Sequence, residues 1–235
     1  MDGPAEDATR DDYLMSRGFK VPKDPQVTQG KMRRDLKTDG YEAKEARAAE
    51  RLIRRGDRIL ELGGGIGYMS TLCATKRDVE WVHVYEANPR LIPYMRRMHE
   101  LNGVADRITV HNRLLGKGPS APVPFYVREN FLASSLEKDE NDGEIVETAM
   151  IAVDPLPEVL ARLQPNVLIC DIEGAEEWLL PAGDWSCLRL AIIETHPQWI
   201  GPKGMRAVFE AMHAAGLAFF PKASEGKVTC FRRDW

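Results

Sequence analysis

No stretch of the chain approaches the roughly 18 consecutive apolar residues that a membrane-crossing helix requires, so a membrane protein is not expected. Cysteine is scarce and never closely spaced. Cys73, Cys170, Cys187 and Cys230 form no C-x-x-C pair, and three of them sit inside apolar runs. They read as free buried thiols of a reducing compartment, neither disulfide partners nor zinc ligands. A basic surplus is also missing: 32 Lys and Arg face 36 Asp and Glu, a net charge of −4. Bulk charge therefore gives no reason to expect a nucleic-acid partner. The opening MDGPAEDATRDD is acidic and has no apolar centre, so no signal peptide is expected. These absences favour a soluble cytoplasmic protein. Its 235 residues, 43% of them hydrophobic, are enough for one well-cored domain over 31–235. Residues 1–30, polar and punctuated by Pro and Gly, are expected to be a partly disordered N-terminal tail. No internal repeat is visible, and a homo-oligomer is left open.

What is present is an alternation. Residues 42–54 place Ala46, Ala49, Leu52 and Ile53 near one helical face. RILEL (58–62) reads as a buried strand, 68–76 as a helix, WVHVYEA (81–87) as a second strand, 89–103 as a helix and 107–116 as a third strand with its exit loop. Strands alternating with helices predict an α/β fold with a doubly wound, mostly parallel sheet. The rhythm breaks over 121–154, where two β-like stretches, 123–128 and 144–153, suggest an antiparallel insertion. It resumes with helix 155–163, strand 166–172, helix 174–180, strand 189–197 and helix 203–215. The last strands, 217–221 and 228–233, are too close for a helical crossover, so an antiparallel hairpin should end the sheet.

The first strand carries one acid, Glu61, and four glycines follow within positions 63–67. Glycines let backbone approach a ligand, and the next helix offers unpaired N–H groups. The dinucleotide pattern G-x-G-x-x-G/A fails, because Tyr68 takes its third glycine position. Glu61, Gly63, Gly65 and Gly67 instead fit E-x-G-x-G-x-G, which resembles the first motif of class I S-adenosylmethionine (SAM)-dependent methyltransferases. That resemblance puts Glu61 against the ammonium of the SAM methionine, where a carboxylate suits a cation and would repel a pyrophosphate. Glu86 ends the second strand nineteen residues after Gly67 and is placed, with Ala87 beside it, to accept the ribose hydroxyls. The adenine is expected over the exit of the third strand, against Asn112 or residues 113–115.

A second constellation ends the later strands. Asp171 and Glu173 stand in ICDIEGAEEW (169–178), and His196 in IIETHP. Ligands of open α/β sheets sit beyond the carboxyl ends of the strands, so Asp171 should share a crevice with Glu61 and Glu86. Glu176 and Glu177 are read as helix-terminal acids that favour the dipole. The stretches GYEAKE (40–45), ELGGGIGYMS, YEANP, ASSL (133–136), DIEGAE and ETHP, in this order, resemble the FkbM family of methyltransferases. The resemblance covers about residues 30–220. It implies a Rossmann-like fold with a seven-stranded sheet, SAM as cofactor, and methyl transfer to a hydroxyl of a sugar or secondary metabolite. The chain departs from that family's pattern in its acidic stretch 137–144 and in Glu-Leu-Gly-Gly-Gly where many members have Asp-Ile-Gly-Ala-Asn.

A hydroxyl must lose its proton as it attacks, so a general base is expected, His196 or Asp171, with Glu173 beside them. No metal is expected, although Asp171, Glu173 and a third ligand would suit a hard cation. Ser134 and Ser135 are candidate pocket residues or turn-formers. Base methylation is disfavoured, because the fourth strand runs into Asp-Ile-Glu-Gly rather than an Asn/Asp-Pro-Pro-aromatic stretch, and its acids repel phosphate. KMRRDLK (31–37) reads as a solvated helix face or a contact for an anionic acceptor. The competing classes are an NAD-dependent oxidoreductase and a SAM-binding module without catalysis.

Overall fold

The structure, a computed structural model, describes residues 12–129, 136 and 143–234. The chain enters through a hairpin, β1 (Tyr13–Ser16) paired with β2 (Phe19–Pro22). Leu14, Phe19 and Val21 are buried, so the hairpin adds to the main core. The Tyr94 hydroxyl donates to the Pro22 carbonyl at 2.7 Å, and the Asn102 amide holds the Lys20 backbone through its N–H and its C=O at 2.8 and 2.7 Å. The expected tail is therefore corrected from Tyr13 onward. Two four-residue strands are too short to show a period and do not stand out from polar surroundings. Residues 1–11 lie outside the described residues.

Helix α1 (Gly30–Lys37) exposes Lys31, Arg33, Arg34 and Lys37 and buries Leu36, the solvated basic face read from the sequence. Then come α2 (Ala43–Leu52), β3 (Arg58–Leu62), α3 (Tyr68–Arg77), β4 (Trp81–Tyr85), α4 (Leu91–Leu101) and β5 (Ile108–His111). The middle of the chain gives β6 (Leu114–Gly116), β7 (Val123–Arg128), β8 (Ile145–Ile151) and β9 (Val153–Pro155). The α/β rhythm returns in α5 (Leu156–Leu163), β10 (Val167–Cys170), α6 (Glu176–Leu179), β11 (Leu190–Glu194) and α7 (Pro197–Ala214), and the chain ends in β12 (Ala218–Phe219) and β13 (Val228–Arg232).

Seven strands form the central sheet in the order β5-β4-β3-β10-β11-β13-β12. The first five are parallel, and β13 runs antiparallel to both of its neighbours. Period-two alternation divides the core between the two faces: Ile59, Val82, Val84, Val167, Ile169 and Ile192 pack on one side, and Leu60, Leu62, Leu168, Cys170, Ala191 and Ile193 on the other. Glu61 falls on the Ile59 side. Strand order reverses between β3 and β10, which opens a crevice at their carboxyl ends.

Two of the expected boundaries differ most. The third strand, read over 107–116, is two strands: β5 stays in the sheet, while β6 leaves it to pair in parallel with β9. Between them the Asn112 amide donates to the Glu86 and Ala87 carbonyls at 2.9 and 3.0 Å, tying the chain back and ending the ladder. Helix α7 begins at Pro197 rather than residue 203, since proline suits the first helical turn, and Gly201 (φ 56) breaks it just before Pro202. In the insertion, β7 and β8 pair antiparallel.

At the opposite end of the sheet, buried Asp57 accepts hydrogen bonds from the Arg54 N–H at 2.7 Å, from Arg189 Nε at 2.8 Å and from Arg189 Nη2. Breaking a buried pair leaves an uncompensated charge. Asp57→Ala is expected to lower unfolding free energy by about 3–5 kcal/mol, measured by urea titration.

Candidate functional site

The glycine loop after β3 fills the floor of the crevice. At Gly63 (φ 79) an added Cβ would lie 1.7 Å from the Asp171 carbonyl oxygen, so the loop rests directly on the end of β10. Gly64 and Gly67 are filled from behind by the Met95 side chain. Gly65 (φ 51) differs: the nearest atom to its Cβ position is the Tyr41 hydroxyl at 4.0 Å. The loop thus packs tightly everywhere except at the one position that faces the crevice.

Glu86, buried at the end of β4, holds this loop. Its Oε2 accepts the Gly65 N–H at 2.8 Å and its Oε1 accepts the Asn88 N–H at 2.7 Å. Burial raises its pKa, and those N–H groups oppose the rise. Ala87 packs on the small cluster of Phe125, Val127 and Ile151. Asn112 spends its amide N–H groups on the 86–87 backbone, so it shapes the crevice wall more than it offers a free donor.

Glu61 is 2% exposed, and its Oε2 has no hydrogen-bond partner among the described residues. Burial pushes its carboxyl up to about 8, the Ser70 hydroxyl works against that, and the Glu86 charge adds to it. Glu42, at the start of α2 in a left-handed conformation (φ 43), brings a further acid. Its pKa is raised well above the carboxylate range by burial, then by the charges of Asp171, Glu45 and Glu61. A buried carboxyl with an open oxygen among other acids is a site for a cation.

The second constellation assembles as the sequence suggested. His196, 3% exposed, lies between carboxylates: its Nε2 is 3.1 Å from Glu173 Oε2, 3.6 Å from Asp171 Oδ1 and 4.0 Å from Glu194 Oε1. Its Nδ1 is hydrogen-bonded to Glu176 Oε1 at 2.8 Å. Burial works to lower the His196 pKa. The hydrogen bond to Glu176 and the charges of Glu173, Glu176 and Asp171 outweigh it, so the net shift is upward. Asp171 is pushed well up by partial burial, then by the Glu173 and Glu194 charges. Glu173 reaches the group from a left-handed residue (φ 52) ahead of Gly174, and Trp199 stacks its ring on His196 at 4.9 Å and 19°.

Glu176 and Glu177 do stand in the first turn of α6, but for Glu176 that is only part of its role. It is fully buried beneath His196, while its neighbour Glu177 is exposed. A helix of four residues turns successive side chains through about 100° each, so adjacent acids face opposite ways. Tyr41, Glu42, Glu45 and Glu194 were also missed as site residues. Tyr41, Glu42 and Glu45 stood in GYEAKE, noted only as part of the family resemblance, and Glu194 precedes Thr-His-Pro with no spacing to mark it. Ser134 and Ser135 lie outside the described residues.

No protein-family model matches the chain. The ribosomal protein L11 methyltransferase of Bacillus velezensis is 36% identical over 139 residues, which are 56% of this chain and 44% of that protein. The tRNA wybutosine-synthesizing protein 2 homolog of Bos taurus is 38% identical over 56 residues, 24% of this chain and 13% of that protein. The chain thus spans less than half the length of these curated relatives. Among solved structures, Trm5b from Pyrococcus abyssi superposes with a TM-score of 0.51 at 13% identity, over 94% of this chain and 55% of that one. TYW2 of M. jannaschii, in complex with AdoMet, gives 0.50 at 13% identity, over 94% and 86%. With its seven-stranded sheet and the reversal between β3 and β10, this chain has the Rossmann-like fold of SAM-dependent methyltransferases.

Proposed function

We propose that the protein is a SAM-dependent methyltransferase that acts on a hydroxyl group of a small molecule. The observation that carries the cofactor is the unpartnered oxygen of buried Glu61, beneath a glycine loop open only at Gly65. A dinucleotide would bring its pyrophosphate to that same loop, against two buried acids, whereas the amino acid end of SAM brings an ammonium. Glu61 and the loop would hold the methionine part, and Glu86 with Ala87 the ribose. When bound, SAM supplies a methyl on a sulfonium, which an acceptor oxygen takes as the carbon–sulfur bond breaks to leave S-adenosylhomocysteine.

The chain's own residues do the rest. Alignment of the acceptor with the donor and exclusion of water are the larger part of the task. The acceptor hydroxyl must shed its proton, and Asp171, Glu173 and His196 are the group placed to bring that about. Trp199, 58% exposed, offers a flat apolar wall beside them for a ring-shaped acceptor such as a sugar. Placement in the FkbM family rests on the motif series that ends in DIEGAE and ETHP.

Calorimetry checks the cofactor. SAM and S-adenosylhomocysteine are expected to bind one to one and NAD not at all, and Glu86→Ala should weaken SAM about tenfold through the lost ribose contacts. Tight NAD binding without SAM binding would end this reading. Transfer of labelled methyl from SAM to sugars or polyketide-type alcohols is the expected acceptor result. Labelling of ribosomal protein or tRNA instead, the substrates named for the relatives, would replace the small-molecule hydroxyl.

A further inference from the structure

The geometry points to a divalent-cation site formed by Asp171 Oδ1, Glu173 Oε2 and His196 Nε2. Ligand atoms of these three residues all lie within 4.8 Å of one another. Atoms held about 2.0–2.5 Å from a shared ion have to be separated by no more than roughly that. The carboxylate cluster alone would not indicate a metal. His196 is what does. It is almost wholly buried, its Nδ1 is engaged by Glu176, and its Nε2 is aimed between the two carboxylates, 3.1 Å from Glu173 Oε2 and 3.6 Å from Asp171 Oδ1. Asp171 Oδ1 has no hydrogen-bond partner among the described residues. A carboxylate on the far nitrogen of a ligating imidazole fixes its tautomer and raises its basicity, which is the part Glu176 is placed to play.

Charge supports the same assignment. Among the described residues, no Lys or Arg makes an ion pair with Asp171, Glu173, Glu176 or Glu194; the ion-pair partner each of them has is His196. Four acids around one imidazole leave an excess of negative charge that a dication offsets. Two carboxylates and one imidazole, with the remaining positions open, suit Mn2+ or Fe2+ better than an all-oxygen Mg2+ site. The sequence had supplied two of these ligands without a third.

The role of the ion rests on the proposed methyl transfer. A hydroxyl that coordinates the cation is acidified. Its proton would pass to water, and the electron pair left on oxygen would form the new bond to the methyl carbon as the carbon–sulfur bond of SAM breaks and its electrons stay on sulfur. Asp171 and Glu173 then act as ligands rather than bases, and so does His196.

The test uses the full chain, stripped with a chelator and titrated with Mn2+ alone, with no SAM present. Free Mn2+ is followed by electron paramagnetic resonance. One ion per chain is expected, with nitrogen coupling from an imidazole in the spectrum of the bound ion. Asp171→Asn and Glu173→Gln should each weaken binding at least tenfold, and Glu176→Gln by about 10–100-fold. His196→Gln should remove the nitrogen coupling. Glu173 is half-exposed, so its variant is informative even if a His196 variant fails to fold. Mn2+ that stays free at millimolar concentration, or that binds without nitrogen coupling, overturns the site. SAM calorimetry is read separately, so loss of the site and loss of the methyltransferase reading are distinguishable.

Discussion

Gly63→Ala is expected to yield a protein that neither binds SAM nor reaches normal stability. The methyl would start 1.7 Å from the Asp171 carbonyl oxygen, about half a normal contact, and the atom in its way is backbone. Either the loop lifts or the end of β10 is pushed aside, and both ends belong to the crevice. Alanine at φ 79 adds strain of about 1–2 kcal/mol. Together these should cost about 4 kcal/mol or more in urea unfolding, with no calorimetric signal for SAM. Gly65→Ala is the comparison. It carries similar backbone strain but meets no atom closer than 4.0 Å, so it should lose only about 1 kcal/mol and interfere with ligand alone. Equal damage from the two changes would contradict the packing described for Gly63.

Glu61→Gln is expected to stabilise the ligand-free protein while removing most of its SAM affinity. In the folded chain the Glu61 carboxyl sits near 8, above its unfolded value of 4.5, because burial disfavours the charge. The folded state therefore binds the proton more tightly than the unfolded state does. Stability is fully present below about 4.5 and is lost progressively as pH rises through the folded value near 8. By pH 7 the accumulated loss is about 3 kcal/mol, which the glutamine variant does not suffer. The gap between variant and wild type should thus open from near zero at pH 4.5 and widen to pH 8, as followed by thermal or urea unfolding. Binding moves the other way. Glutamine cannot pair with the ammonium, so SAM affinity should fall on the order of 100-fold. A variant that binds SAM as well as wild type would show that Glu61 serves the empty fold and not the ligand.

The sheet was legible because its strands announce themselves. RILEL, WVHVY, VLIC and LAIIE are short apolar runs, bounded by turns and separated by helical periods, and tertiary packing reinforces what they prefer locally. The hairpin over 13–22 was not legible, since what makes it a strand pair is the surface of α4 beneath it. Glu61, Glu86, Asp171 and His196 could be found because each stands at the end of a strand, where topology alone makes a side chain face the crevice. Glu42 and Glu176 could not. One depends on a left-handed backbone at the start of α2, the other on which way a single helical turn faces. Glu173 was found next to Asp171, yet its reach back toward His196 follows from φ 52, which no periodicity reveals.

The seat of Gly63 on the carbonyl of residue 171 makes the glycine-loop floor and the acidic wall one mechanical piece. A shift of that loop has to be taken up by the main chain of the residue whose side chain stands beside Glu173 and His196.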